Sequence, residues 1–134
     1  MMNNVSIVGV IVDNPTLREF DSGKKGAFIT LKVQKPFRTF DGNLEYDFIK
    51  CSLWEGIAQS TCDYCSKGDI IAVRGRLNTY IDEFKYIDQT GIETVKKIST
   101  LQFIVERVTF ISTSKKNRVY DETSEPYQDL VEES

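Results

Sequence analysis

The sequence predicts an all-β fold: a closed five-stranded barrel with one helix between the third and fourth strands and an extended β-hairpin after the fourth. Three observations predict it. Apolar residues recur at every second position through most of the chain, which is the period of a strand. Turn signals built on Gly, Asn, Asp and Pro punctuate those runs. One stretch alone, residues 56–66, carries helical spacing.

Residues 4–12 read as the first strand, with Val5, Ile7 and Gly9 alternating with Ser6, Val8 and Val10. Asn14-Pro15 ends it, because Pro15 cannot donate to a ladder and restricts its predecessor. After the turn signal Asp21-Ser22-Gly23, residues 26–34 form the second strand. Phe28, Thr30, Lys32 and Gln34 occupy one face of it, and Ile29, Leu31 and Val33 the other. Asp41-Gly42 supplies a hairpin turn. Residues 44–54 form the third strand, with Ile49, Cys51 and Leu53 as its core face and Phe48, Lys50, Ser52 and Trp54 opposite.

Ile57, Thr61, Tyr64 and Cys65 give the helix its spacing, and Gly68 suits a left-handed residue just beyond it. Residues 70–79 form the fourth strand. Residues 80–87 and 92–99 read as hairpin arms around Asp88-Gln89-Thr90-Gly91. Residues 101–111 form the fifth strand, with Phe103, Val105, Arg107, Thr109 and Ile111 on one face. Five strands with a helix between the third and fourth is the order of an OB-fold Greek-key barrel, and the pattern alone also leaves other small β-barrels open.

From Ser112 the periodicity stops. A stretch this polar cannot bury enough apolar surface to offset its ordering entropy. The chain therefore divides into a folded domain over residues 1–112 and a disordered acidic tail over residues 113–134. Net charge over the 134 residues is −3. Residues 1–118 hold all 17 Lys and Arg against 14 Asp and Glu, whereas residues 119–134 hold six acidic residues and no basic one. A basic body beside an acidic tail keeps an anionic partner in play.

Several function classes recede. There is no histidine, so the commonest general base and metal ligand is missing. Cys62-Asp63-Tyr64-Cys65 is a CxxC, but a zinc site wants four ligands and only Cys51 remains. A redox pair wants a βαβ context that the strand order denies. The cysteines are predicted to be reduced thiols packed as small hydrophobes. No catalytic residue, metal or cofactor is expected. No apolar run reaches the roughly 18 residues of a membrane span and no secretory signal is visible, so a cytoplasmic, nucleoid-associated protein without membrane contact is expected.

The order and spacing of several short stretches carry a resemblance: Asn4-Val5-Ser6-Ile7-Val8-Gly9, Asn14-Pro15-Thr16-Leu17-Arg18, Phe28-Ile29-Thr30-Leu31, Tyr46-Asp47-Phe48-Ile49-Lys50-Cys51, Leu53-Trp54, Lys67-Gly68-Asp69 and Val73-Arg74-Gly75-Arg76-Leu77. On these the chain resembles the bacterial single-stranded DNA-binding protein family from about residue 4 to residue 111. The resemblance implies an OB fold assembled as a homotetramer, which binds and protects single-stranded DNA in replication, recombination and repair. It implies base stacking on Phe37, Phe48 and Trp54. A further aromatic follows the fourth strand, where Tyr80 and Phe84 both fit.

These residues suit that chemistry. Every base has a π-face, so flat rings bind any sequence, while cations bind phosphates. Phe37 sits in Lys35-Pro36-Phe37-Arg38, where Pro36 fixes the backbone between two cations. Lys35, Arg38 and Lys50 neighbour the rings and are the leading phosphate contacts. Arg76 follows, with Lys32, Arg74 and Lys85 behind it. Family members end in an acidic tip with an apolar pair that docks replication and repair proteins. This chain instead ends Asp129-Leu130-Val131-Glu132-Glu133-Ser134. That departure fits a phage or mobile-element member with different partners. Three alternatives remain open: a primosome-type or RNA-binding OB protein, a protein-interaction module, and a CxxC redox enzyme.

Overall fold

In a computed structural model, which describes residues 1–113, the alternating runs become strands β1 (Val5–Ile11), β2 (Arg18–Glu19), β3 (Lys25–Gln34), β4 (Tyr46–Trp54), β5 (Ile70–Ile87) and β6 (Glu93–Ser112). The one helix, α1 (Glu55–Tyr64), lies between β4 and β5. The sheet order is β2–β3–β4–β6–β5–β1, and a second pairing of β1 with β3 closes it into a ring. All pairings are antiparallel except β4 with β6, where Cys51 faces Phe103 and Ser52 faces Ile104. With β2 set aside as a short edge ribbon, this is the OB barrel.

The period-2 pattern places the core. Ile11, Ala27, Ile29, Leu31, Cys51, Leu53, Ile71, Val73, Phe103 and Val105 point inward and are buried. Leu31, Leu53 and Ile71 are fully enclosed, and burial of such side chains stabilises by about 1.5–3 kcal/mol each. Helix α1 closes one end of the barrel. Ala58 and Thr61 on α1, and Cys65 just after it, are buried, with Ile57 and Cys62 packed beside them. Glu55 starts the helix with φ +52, a left-handed conformation that turns the chain sharply from β4. Gly68 has φ +93, as its place after the helix demands, and its N–H donates to the Ile11 carbonyl.

Four features depart from the sequence reading. The two-residue strand β2 pairs Arg18 with Gly26 and Glu19 with Lys25, and it is too short to show any period. The strand read from residue 44 begins at Tyr46. The fourth strand and the first hairpin arm are one continuous strand of 18 residues, and the second arm and fifth strand are one of 20. No Gly or Pro interrupts the span from Leu77 to Ile87, so the ladder runs unbroken from Leu77↔Phe103 to Ile87↔Glu93.

The face of β6 beyond Val105 also differs from the sequence expectation. The ladder shifts between Arg74↔Arg107 and Gly75↔Val105, leaving Glu106 as the extra residue of a bulge. The bulge flips the alternation. Val108 and Phe110 pack on the core, while Arg107, Thr109 and Ile111 are exposed. Gly75 makes this crossing possible, because a Cβ there would collide with the Ile104 carbonyl oxygen. Of the tail expected over residues 113–134, Thr113 alone is described and it is buried, so the folded part extends at least one residue further; the rest, with Leu130-Val131, lies outside the described residues.

Candidate nucleic-acid interface

The outer face of the β3–β4 ribbon follows from strand alternation. Across it, Phe28 faces Ser52, Thr30 faces Lys50, Lys32 faces Phe48 and Gln34 faces Tyr46. Rings and ammonium groups therefore interleave on one surface. Phe48 is 64% exposed. Lys50 Nζ lies 4.9 Å from the centre of the Phe28 ring, and Lys32 Nζ lies 4.2 Å from that of Tyr46. These cation–π contacts hold the ammonium groups beside the rings without neutralising them. From Trp54 to Tyr46 the face runs about 27 Å at the usual strand rise.

The loop beyond extends the face. Thr39 and Asn43 bridge it, Gly42 turns it with φ +82, and Arg38 Nη1 donates to the Gly42 carbonyl at 3.0 Å. Phe37 stands 73% exposed on this braced loop, and Phe40 at the turn is wholly exposed. Lys35 is not a bare cation. Its ammonium is ion-paired with Asp47, and that hydrogen bond raises its pKa.

The second wall is the β5–β6 hairpin. Asn78, Tyr80, Asp82, Phe84 and Tyr86 share one face of β5, with Gln102, Thr100 and Lys96 opposite them. Tyr80 lines a groove with Phe28, Lys50, Ser52, Thr100 and Gln102, so it meets the β3–β4 face directly. Phe84 is 50% exposed, two pleat repeats further out, about 13 Å along the strand from Tyr80. Arg76 also belongs to this surface. Phe28, Ser52, Ile104 and Arg76 form one cross-strand row, which sets Arg76 about 14 Å from Phe28. Arg74 lies instead beside Ser6, Val8 and Arg107 on the β1 side.

Two residues sit differently from their sequence reading. Ser52 shares the outer face but is only 3% exposed, because Gln102 Nε2 covers it and donates to its Oγ at 2.9 Å. Trp54 is half-buried in a cluster. Phe20 packs on it with ring centres 5.4 Å apart, Phe28 meets it edge-on at 6.0 Å, and Lys24 Nζ lies 4.4 Å from its ring centre. Its ring crosses the backbone of Gly26, where a Cβ would come within 2.6 Å. One ring face is thus turned to the barrel, and Lys24 is posted beside the cluster.

The sequence reading passed over Phe20, Lys24, Tyr46 and Phe28 as site residues. Phe28 carried a visible signal, an aromatic ring on a face otherwise made of Thr, Lys and Gln. Phe20 and Lys24 carried none, since only the β2–β3 hairpin brings them to Trp54. The cysteines lie elsewhere. Cys51 and Cys65 are buried in the core, and burial pushes the Cys51 thiol up to about 12. Among the described residues, no group of three or more His, Cys, Asp and Glu is placed to hold a metal ion, and no helix is long and apolar enough to cross a membrane.

A closed five-stranded barrel with an outer face of exposed rings interleaved with ammonium groups defines an OB-fold binding module. The chain belongs to the single-strand binding protein family, whose profile matches residues 2–111. It is similar to single-stranded DNA-binding protein B of Bacillus subtilis, with 29% identity over 121 residues spanning 90% of this chain and 100% of that one. It is similar also to single-stranded DNA-binding protein 2 of Listeria monocytogenes, with 34% identity over 128 residues spanning 96% of this chain and 74% of that one. The single-stranded DNA-binding protein of Bacillus cereus shares 34% identity over 111 residues, 83% of this chain and 61% of that one.

Proposed function

We propose that this protein binds single-stranded DNA without reading a defined sequence, by stacking bases on Phe37, Phe48, Trp54 and Tyr80 and drawing phosphates to Lys32, Lys50, Arg38 and Arg76. The carrying observation is the unbroken outer face on which Phe48, Lys32, Lys50 and Phe28 alternate and which the Tyr80 wall adjoins. Lys35 contributes once a phosphate displaces Asp47, and Phe84 engages a strand that continues along the hairpin. Family membership and the names of the relatives support the same reading, and its role on this reading is to protect strands exposed in replication, recombination and repair. The protein acts by binding alone and performs no catalysis.

A homotetramer is part of the proposal. The hairpin face opposite Tyr80 and Phe84 carries Ile81, Ile87, Val95 and Leu101, all exposed aliphatics that suit protein contact better than stacking. The test is anisotropy of a labelled oligo-dT with duplex DNA and matched RNA as competitors. Phe48→Ala should weaken binding by about 1–3 kcal/mol. Duplex competing as well as single strand would defeat the reading, and RNA outcompeting DNA would favour the RNA-binding alternative.

A further inference from the structure

We propose that the groove between Phe28 and the foot of the β5–β6 hairpin is a base-inserting subsite, in which Phe28 is a stacking platform and Gln102 contacts the edge of the inserted base. The inference rests on the single-strand reading above and adds a site to it.

Phe28 is 39% exposed, yet its ring is held from two sides, by the edge contact with Trp54 and by the Lys50 ammonium. A ring that is already ordered loses little conformational entropy when a base stacks on it. Tyr80, 42% exposed, lines the same groove from the hairpin. Between them the lining is mixed, with Ser52, Thr100 and Gln102 beside Leu101 and Phe103. Ser52 is 3% exposed and accepts from Gln102 Nε2, which fixes the orientation of that amide. The Gln102 carbonyl oxygen has only a long contact, 3.5 Å, from Asn78 Nδ2. The amide therefore keeps a second N–H and an accepting oxygen for a ligand.

Aromatic walls with an oriented amide between them select a flat ring bearing donors and acceptors on its edge, which is a nucleobase. An aliphatic side chain would leave the amide without a partner. The groove is small, about 100 Å³, which suits one inserted planar ring and not a run of nucleotides. Lys50 at its rim is placed for the phosphate of the same nucleotide. The consequence is a modest preference among bases at this one position, superimposed on binding that is otherwise indifferent to sequence.

The experiment uses the full chain and labelled oligo-dT, oligo-dC and oligo-dA over a series of salt concentrations. Phe28→Thr, which suits an exposed strand position, should weaken binding to all three by at least about fivefold, the low end of one lost stacking platform. Its salt slope should stay that of the unaltered protein, because no charge is lost. Phe28→Tyr should bind like the unaltered protein. Gln102→Leu should change the ratios among the three oligonucleotides by about threefold or more. Phe28→Thr binding within about twofold overturns the platform, and ratios unmoved by Gln102→Leu overturn the edge contact. Failure of the unaltered protein to bind any of the three overturns instead the single-strand reading itself.

Discussion

Asp47 holds Lys35 in an ion pair at the edge of the interface, and both side chains are partly exposed. An exposed pair of this kind is weak, so a phosphate can take the place of the carboxylate. Asp47→Asn should therefore tighten binding to oligo-dT severalfold at low salt. The salt slope should stay that of the unaltered protein, because Lys35 reaches a phosphate in both. Titrations at four salt concentrations check this, and an unchanged affinity would show that Lys35 plays no part. Cys51 gives a second test. Its thiol stays neutral in the barrel up to about 12, against an ordinary value near 9. The folded state thus retains a proton that the unfolded chain loses. The stabilisation is full below pH 9 and is lost as pH climbs toward 12, at up to about 1.4 kcal/mol per pH unit. Denaturant melts between pH 8 and 11 should show that loss, and Cys51→Val should remove it.

At the scale of elements, Gly75 is the most constrained position. A methyl group there meets the Ile104 carbonyl, a backbone atom that cannot step aside without breaking the β5–β6 ladder. Gly75→Ala should destabilise by about 3 kcal/mol, read from denaturant midpoints; a cost below about 1 kcal/mol would contradict the crossing described. The same crossing marks where the sequence stopped being legible. Alternation exposed the cores of β1, β3 and β4 directly, because each keeps one period from end to end. It failed on β6, because a bulge is one unpaired residue with no composition of its own. The ribbon β2 was invisible at two residues, and with it the placement of Phe20 and Lys24 against Trp54. Phe37 and Phe48 were legible because exposed rings among cations are unusual. The choice between Tyr80 and Phe84 depended on how near the hairpin foot stands to β4, which only tertiary pairing sets.

Across the whole molecule, the barrel and the hairpin divide their surfaces by chemistry. The outer face of β3–β4 carries rings and cations, one hairpin face carries Tyr80, Phe84 and Tyr86 with Lys96, and the opposite hairpin face carries Ile81, Ile87, Val95 and Leu101 beside Lys85 and the Glu83–Lys97 ion pair. Charge over residues 1–113 is balanced, with 14 basic and 14 acidic residues. Attraction to DNA must then come from the local clustering of Lys24, Lys32, Lys50, Arg38 and Arg76, not from net charge. Such an interface should bind single strands with a moderate salt dependence and ignore duplexes, whose bases are already stacked.

The most direct test is the emission of Trp54, the single tryptophan, during titration with oligo-dT at two salt concentrations, with duplex DNA as control. Trp54 sits among Phe20, Phe28 and Lys24, so a strand entering the face must disturb its surroundings. The account predicts a large saturable change with the single strand alone, reached at lower protein and DNA concentrations when salt is low. No change with either nucleic acid at low salt would contradict it, and would turn the aromatic face into a contact between proteins.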